Sequence, residues 1–316
     1  MERNKVTLLV ILGLLLVSIF LGLYSISGNP SRHSKIQGQK FFKDGLSGAI
    51  LIKIEGEIHS GRSTYSSTGA DTILARLREI ENKPEIKGIL LEINSPGGTV
   101  GASQEIYEEL IHLRKDKKIV VSMKDLAASG GYYIASAADY IYAQHGTITG
   151  SIGVITMSPN ISGLLEKANI KMNVYKAGKY KDILSMFREH TKEEVEIIDS
   201  LLDDTYRRFI LDIAKGRNIS KEKIELAAEG KIFSGEKAIK YHLVDAIGGR
   251  REAMQKLSEL AGYDGVLQLF EDDESPIDRL IQMFGAKFSM LTGNNPMHLD
   301  IYKSPVLLLL PSALRF

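Results

Sequence analysis

Short apolar runs alternate with helical repeats through the first half of the chain. Three of the runs are brief and rich in β-branched residues, which predicts buried strands. They occupy residues 48–54, 86–93 and 118–123. Apolar residues then recur at helical spacing over 70–80 and 100–113, and a third helix is expected from Ser129 onward. This alternation indicates βαβ units and a mostly parallel sheet, in which functional groups gather at the carboxyl ends of strands.

The same alternation continues in the second half. Further short strands are predicted at 140–143, 153–157 and 172–175. Further helices are predicted at 161–168, 192–215, 235–242 and 250–260. The helix over 192–215 carries apolar residues on one broad face, which is typical of a helix packed on a core. The fold class is therefore α/β.

The first thirty residues have a different pattern. Residues 6–26 form an almost unbroken apolar run, about 20 residues long and thus able to span a bilayer as a helix. We predict a retained membrane anchor, because the run is long for a signal peptide and no clear cleavage site follows it. A short tail before the run and a large domain after it favour a single-pass protein with the domain on the extracytoplasmic side of the cell membrane. A cleaved signal peptide is the alternative.

These patterns divide the chain into four parts. They are a cytoplasmic tip and anchor at 1–27, a polar stalk at 28–46, one large domain at 47–265, and a C-terminal extension at 266–316.

The extension closes on an apolar tail from Pro305 that is too short to cross a membrane. It could pack as an edge strand in an oligomer, touch the bilayer, or occupy a substrate groove by strand addition. If it occupies a groove, deleting the residues after Ser304 should raise the activity of the chain or change its assembly.

Composition and charge exclude several classes of function. The chain is 44% hydrophobic and 25% charged, as an ordinary globular protein is. Its net charge is +1 and it has no long basic block, so nucleic-acid binding is not expected. It contains no cysteine, which rules out disulfides, thiolate catalysis and cysteine-ligated metals while saying nothing about compartment.

The first candidate for chemistry is Ser129, which lies in Ala-Ala-Ser-Gly-Gly-Tyr-Tyr-Ile-Ala at 127–135. A serine between a strand and a helix exposes its hydroxyl and is followed by free backbone N–H groups. Glycines beside it let a substrate approach the backbone. The ordinary alternative is a serine that only caps the helix.

Two further stretches turn Ser129 into a candidate nucleophile. Asn-Ser-Pro-Gly-Gly at 94–98 is another glycine turn at a strand end, able to offer N–H groups to an anion but also able to be a plain turn. No histidine lies at the apolar strand ends, so the base would be a lysine made neutral by burial. Lys176, Lys179 and Lys181 are the candidates, and the residues alone do not choose among them. Such a cluster can also be a solvated surface.

Taken together, these motifs resemble the signal peptide peptidase A family in its short, single-domain form. The resemblance runs in order over about residues 48–262 and includes Thr-Gly-Ser-Ile-Gly-Val at 149–154 and Gly-Lys-Tyr-Lys-Asp at 178–182. It implies a crotonase/ClpP-like fold and a serine endopeptidase with a Ser–Lys dyad. By resemblance, Ser129 is the nucleophile and Lys181 the base. Gly98 and Gly130 are the oxyanion-hole donors, with Gly97 the alternative to Gly98, and Ser151 orients the lysine.

The resemblance also implies the biological setting. The substrates would be hydrophobic signal-peptide remnants left in the membrane, the assembly a homo-oligomer, octameric as a ring, and the chemistry free of any metal or organic cofactor. Three alternatives remain at this point. They are a related membrane protease that cuts regulatory proteins, an acyl-CoA-binding crotonase-like enzyme, and a noncatalytic membrane scaffold.

Overall fold

The computed structural model describes residues 47–64, 66–271 and the backbone of 307–309, together with the isolated helical positions Gly13 and Val17. The predicted anchor, apart from those two positions, and the predicted stalk lie outside the described residues. Within the described part of the chain, no helix is both long and apolar enough to cross a bilayer.

Ten strands form one sheet among the described residues. They are β1 Gly48–His59, β2 Ser67–Gly69, β3 Ile86–Thr99, β4 Lys118–Ala128, β5 Tyr140–Ala143, β6 Ile148–Gly150, β7 Ile232–Ser234, β8 Ala246–Ile247, β9 Gln268–Phe270 and β10 Leu307–Leu309. The main strand order is β2-β1-β3-β4-β5-β8, and every neighbouring pair along it is parallel. Strand β9 adds to the start of β1 in parallel. Strand β6 continues alongside the end of β4 and pairs antiparallel with β7.

Eight helices surround this sheet in the described ranges. They are α1 Ala70–Glu81, α2 Val100–Leu113, α3 Gly130–Ala135, α4 Ser162–Lys167, α5 Lys192–Arg217, α6 Lys221–Ala227, α7 Gly235–Lys240 and α8 Arg250–Leu260. The longest, α5, begins at a capping box in which Thr191 accepts from the Glu194 N–H while Glu194 accepts from the Thr191 N–H. It ends at Asn218 in the left-handed conformation.

The core lies on both faces of the sheet. Alternate residues of β1 point to opposite sides, as strand geometry requires. Ile50, Ile52 and Ile54 join the large cluster under α1, α2, α3 and α5. Ala49 and Leu51 join a smaller cluster with Leu257 of α8. Burial on both faces explains why the predicted strands are continuously apolar.

The structure confirms the α/β class and the parallel sheet, but it corrects two predicted strands. Residues 153–157 form only an isolated bridge at Ile155, and residues 172–175 form no strand. Their apolar side chains, including Met157, Met172 and Val174, are exposed on the chain. The alternating apolar residues in these two stretches therefore do not mark half-buried strands. They are apolar side chains that no other part of the described chain buries.

Candidate active site

The two glycine motifs meet because β3 and β4 are longer than the apolar pattern predicts. Both strands run on into their motifs, and Ser95 lies opposite Ala127 in the parallel register. Motif side chains hold this region together. The Asn94 side chain accepts from the Leu126 N–H at 3.2 Å, and the Ser95 hydroxyl donates to the Gly56 carbonyl at 2.6 Å. The carboxyl ends of the two strands thus form one platform.

Ser129 lies at the turn between β4 and α3 in a conformation that non-glycine residues rarely adopt. Its φ is 54° and its ψ is −118°. Its N–H donates to the Gly150 carbonyl at 2.8 Å and its carbonyl accepts from the Tyr133 N–H at 2.8 Å, so the backbone is held on both sides. The side chain is 0% exposed, yet its hydroxyl has no hydrogen-bond partner among the described residues. Strain of this kind at a buried, unpartnered hydroxyl is typical of a functional residue.

Gly98 and Gly130 lie directly beside each other at this turn. A Cβ placed on Gly130 would lie 3.1 Å from the Gly98 nitrogen and 2.5 Å from Ser103 Oγ. A Cβ placed on Gly98 would lie 1.8 Å from the Ile58 carbonyl oxygen. Only glycine fits either position, and the close approach gathers two backbone N–H groups near Ser129. Such a pair could stabilise an oxyanion.

Ser151 lies on the same platform, next to Gly150, whose carbonyl accepts the hydrogen bond from the Ser129 N–H. Its own N–H donates to the Lys231 carbonyl at 2.7 Å, and its φ is 52°. It is buried. The structure therefore brings together Ser129, Gly98, Gly130 and Ser151, four of the five predicted site residues.

Strand β10 lies along the other side of the glycine turn. Leu307, Leu308 and Leu309 pair antiparallel with Thr99, Gly98 and Gly97 respectively. The described part of the tail thus pairs with the sheet of its own chain, beside the predicted oxyanion-hole glycine Gly98. An extended backbone is able to bind at this edge.

Lys181, the fifth predicted site residue, lies elsewhere. It belongs to residues 153–190, which we call the lysine segment. Lys181 is exposed, and no described residue accepts a hydrogen bond from its amine. The burial that a lysine base requires is therefore not supplied by its own chain.

The two other candidate lysines are already engaged. The Lys176 amine donates to the Lys179 carbonyl at 2.9 Å and forms an ion pair with Asp182. The Lys179 amine lies 4.9 Å from the centre of the Tyr180 ring. A hydrogen bond with Tyr180 raises the pKa of Lys179, which is the opposite of what a base at neutral pH needs. Of the three, Lys181 is the lysine left available.

A clamp of charges, which the sequence did not indicate, fixes the residue after Lys181. The Arg188 guanidinium donates two 2.9 Å hydrogen bonds to the Asp182 carboxylate and bonds of 2.5 and 2.8 Å to Glu194. These bonds from Arg188 and the ion pair with Lys176 lower the pKa of Asp182. The bonds from Arg188 and the Thr191 N–H lower the pKa of Glu194 to about 2. Both carboxylates are therefore ionised throughout the neutral range.

A second network, which the sequence did not indicate, anchors helix α3 to helix α5. The Tyr133 hydroxyl donates a short hydrogen bond to the Asp212 carboxylate, which also accepts from Arg208 Nε at 2.8 Å. The Tyr107 hydroxyl donates to the Asp212 carbonyl at 2.6 Å. Burial and the bond to Asp212 raise the pKa of Tyr133, so it stays a donor. Tyr132 and Tyr133 are fully buried and belong to the core.

Known proteins are similar to this chain in sequence over most of the described residues. The sequence pattern described as peptidase family S49 matches residues 111–264. A protein from Synechocystis sp. that is named as a protease is 42% identical over 232 residues, covering 72% of this chain and 81% of its own. A protein from Enterococcus faecium that is named as a signal peptide peptidase is 38% identical over 70% of this chain and 63% of its own.

A third relative extends the comparison to an archaeon. A protein from Methanocaldococcus jannaschii that is named as a protease is 43% identical over 58% of this chain and 60% of its own. The chain thus spans less than two thirds of the second and third relatives. The Synechocystis relative is covered over most of its length. The chain belongs to peptidase family S49 and is a serine peptidase of the signal peptide peptidase A type.

Proposed function

We propose that this peptidase is a membrane-anchored endopeptidase whose nucleophile is Ser129 and whose general base is Lys181. The observation that carries the proposal is the buried Ser129 hydroxyl, held without a partner beside the N–H groups of Gly98 and Gly130. The family membership favours peptide hydrolysis over the acyl-CoA and scaffold alternatives.

In the proposed mechanism, the neutral Lys181 amine removes the proton from Ser129 as the hydroxyl oxygen attacks a peptide carbonyl. The N–H groups of Gly98 and Gly130 stabilise the oxyanion, each contributing about 3 kcal/mol. The lysine then protonates the leaving amine, and water hydrolyses the acyl-enzyme. Ser151 orients the lysine, and no metal or cofactor takes part.

The lysine in each site is proposed to come from a second copy of the chain. Ser129 lacks a base among the described residues of its own chain, whereas Lys181 extends outward without a partner. The segment that carries Lys181 also exposes a set of large apolar side chains, which is typical of an interface. The set is Met157, Leu164, Ile170, Met172, Val174, Tyr175 and Tyr180. A homo-oligomeric ring, octameric as expected for the short, single-domain form, would bury these residues. It would also bring one Lys181 to each Ser129.

The proposed substrates are signal-peptide remnants in the membrane, reached through the predicted anchor at 6–26 with the domain on the extracytoplasmic side. Support comes from the pairing of the leucines of β10 with the glycine edge of β3, because an extended apolar peptide can bind in the same way. A detergent-solubilised signal peptide should therefore be cleaved faster than a folded regulatory protein. Preferred cleavage of the regulatory protein would favour the related membrane protease instead.

A fluorophosphonate serine probe tests the dyad on the full chain in detergent. We expect one covalent adduct by intact mass, none on Ser129→Ala, and labelling slowed by about 100- to 10,000-fold on Lys181→Ala, the range of general-base catalysis. Lys179→Ala is the matched control and should label at the unmodified rate. An adduct on Ser129→Ala, or none on the unmodified oligomer, would overturn the assignment of the nucleophile.

A further inference from the structure

The lysine segment is anchored by one arginine, which no catalytic step uses. Arg188 lies between Asp182, the neighbour of Lys181, and Glu194, in the first turn of α5. Its guanidinium meets each carboxylate through two N–H groups, an arrangement that fixes direction as well as distance. The Glu194 side chain is 3% exposed, so the clamp is attached to a buried point of the helix.

Backbone bonds carry this anchoring to Lys181. The Asp182 carbonyl accepts from Arg188 and from the Ser185 N–H, and the Lys181 N–H donates to the Gly178 carbonyl at 3.3 Å. Lys181 is thus part of a turn whose next residue is held by its side chain and by its backbone. Lys176 adds a bond to the Lys179 carbonyl and an ion pair with Asp182, while many other side chains of the lysine segment are exposed.

We propose that Arg188 is a positioning residue. It fixes the position and orientation of Lys181 so that the lysine amine reaches the Ser129 hydroxyl of a second copy. The inference rests on the proposed role of Lys181 as base. Without the bonds from Arg188, the turn that carries Lys181 would not be held in one conformation. The lysine amine would then seldom lie within hydrogen-bond distance of the Ser129 hydroxyl. A lysine at position 188 keeps the charge but lacks the planar fork that binds two carboxylates at once.

The test compares fluorophosphonate labelling rates of the full-length oligomer across pH. Arg188→Lys and Asp182→Asn should each slow labelling by about 10- to 100-fold, since a displacement of about 1 Å of a reacting group has that effect. The loss should persist at high pH, where the amine is neutral whatever its surroundings. Recovery of the rate at high pH would show that the clamp acts on protonation and would overturn the positioning role.

Thr191→Ala is the matched control for a purely structural effect. It removes the hydroxyl that caps the same first turn of α5 but leaves the Arg188 bonds to Asp182 in place. Its melting temperature should fall, as it should for Arg188→Lys, while its labelling rate stays within about twofold of the unmodified rate. Equal slowing in Thr191→Ala and Arg188→Lys would reduce Arg188 to a support of the helix.

Two outcomes separate this inference from the proposed function. If Lys181→Ala labels slowly and Arg188→Lys labels normally, the base stands and the positioning role falls. If Lys181→Ala labels normally, the base assignment and the positioning role both fall.

Discussion

The serine platform and the lysine segment are built in opposite ways. Ser129 lies on a turn fixed by two buried strands, with its helix bonded to α5 from below through Tyr133 and Asp212. The lysine segment contributes few residues to the core, and its Tyr175 is 94% exposed. The serine platform is held within a single chain, whereas the lysine segment leaves its apolar side chains exposed. In the proposed function, the nucleophile is therefore built with the fold, and its base comes from a second copy.

The largest expected effect of a change on the serine platform comes from Gly130→Ala. The added methyl would lie 2.5 Å from Ser103 Oγ and 3.1 Å from the Gly98 nitrogen, so it would push the two N–H groups apart. We expect labelling by the serine probe to slow by about 100- to 1,000-fold, the cost of losing an oxyanion donor. Gly101→Ala is the control, because a Cβ there meets nothing within 4 Å. Unchanged labelling in Gly130→Ala would mean that these N–H groups do not form the oxyanion hole.

A change on the lysine segment should act through assembly instead. Tyr175→Asp places a charge on the most exposed tyrosine of the segment, and loss of an aromatic hot spot at an interface costs about 2 kcal/mol or more. We expect smaller species by light scattering and labelling slowed by about tenfold or more. Tyr263→Asp, at another exposed tyrosine outside the segment, should leave both measurements unchanged. Full assembly of Tyr175→Asp would remove this surface from the proposed interface.

Deletion of the residues after Ser304 tests the third element of the site, strand β10. The deletion removes the strand that pairs with Gly97, Gly98 and Thr99, so the platform edge becomes free for substrate. Labelling should accelerate by about two- to tenfold if the strand competes with the probe by mass action. A chain in which Leu307 to Leu309 are replaced by serines keeps its length and serves as a second variant. No change in rate or assembly in either would mean that β10 does not regulate access.

The smallest effect on activity should come from the anchoring network beneath Ser129. Tyr133→Phe removes a bond to the Asp212 carboxylate and should cost about 1.5–3 kcal/mol of unfolding free energy, whereas Tyr107→Phe removes a bond to the backbone carbonyl of the same Asp212 and should cost about 0.5–1.5 kcal/mol. Thermal denaturation of both variants measures the difference. Equal losses would mean that the charged partner adds nothing to the anchor.

Much of the serine platform could be predicted from sequence because local patterns define it. Continuous β-branched runs predict strands that are buried on both faces, and the glycines at 97–98 and 130–131 mark the turns. Parallel topology then brings the strand ends together, so Ser129, Gly98 and Gly130 were predicted neighbours. The extension of β3 through its motif was missed, since proline and glycine normally end a strand. The network that joins Tyr133 to Asp212 beneath α3 was missed as well.

The lysine segment could be predicted far less well. Its alternating apolar residues indicated strands at 153–157 and 172–175, yet these side chains have no sheet to pack on in their own chain. The choice among Lys176, Lys179 and Lys181 depended on which amines were already bound, and no pattern reveals that. Arg188 is six positions from each of its two partners, Asp182 in a turn and Glu194 in the first turn of α5. Neither helical nor strand periodicity signals such a contact.

The most direct test of a site shared between copies is complementation between two inactive chains. Ser129→Ala, which keeps Lys181, and Lys181→Ala, which keeps Ser129, would carry different tags, be expressed together, and be purified through both tags. Assembly in a head-to-tail ring predicts that roughly a quarter of the sites regain both groups, with a matching return of peptide cleavage. Mixed oligomers that remain inactive, while the unmodified oligomer cleaves the same peptide, would contradict the account.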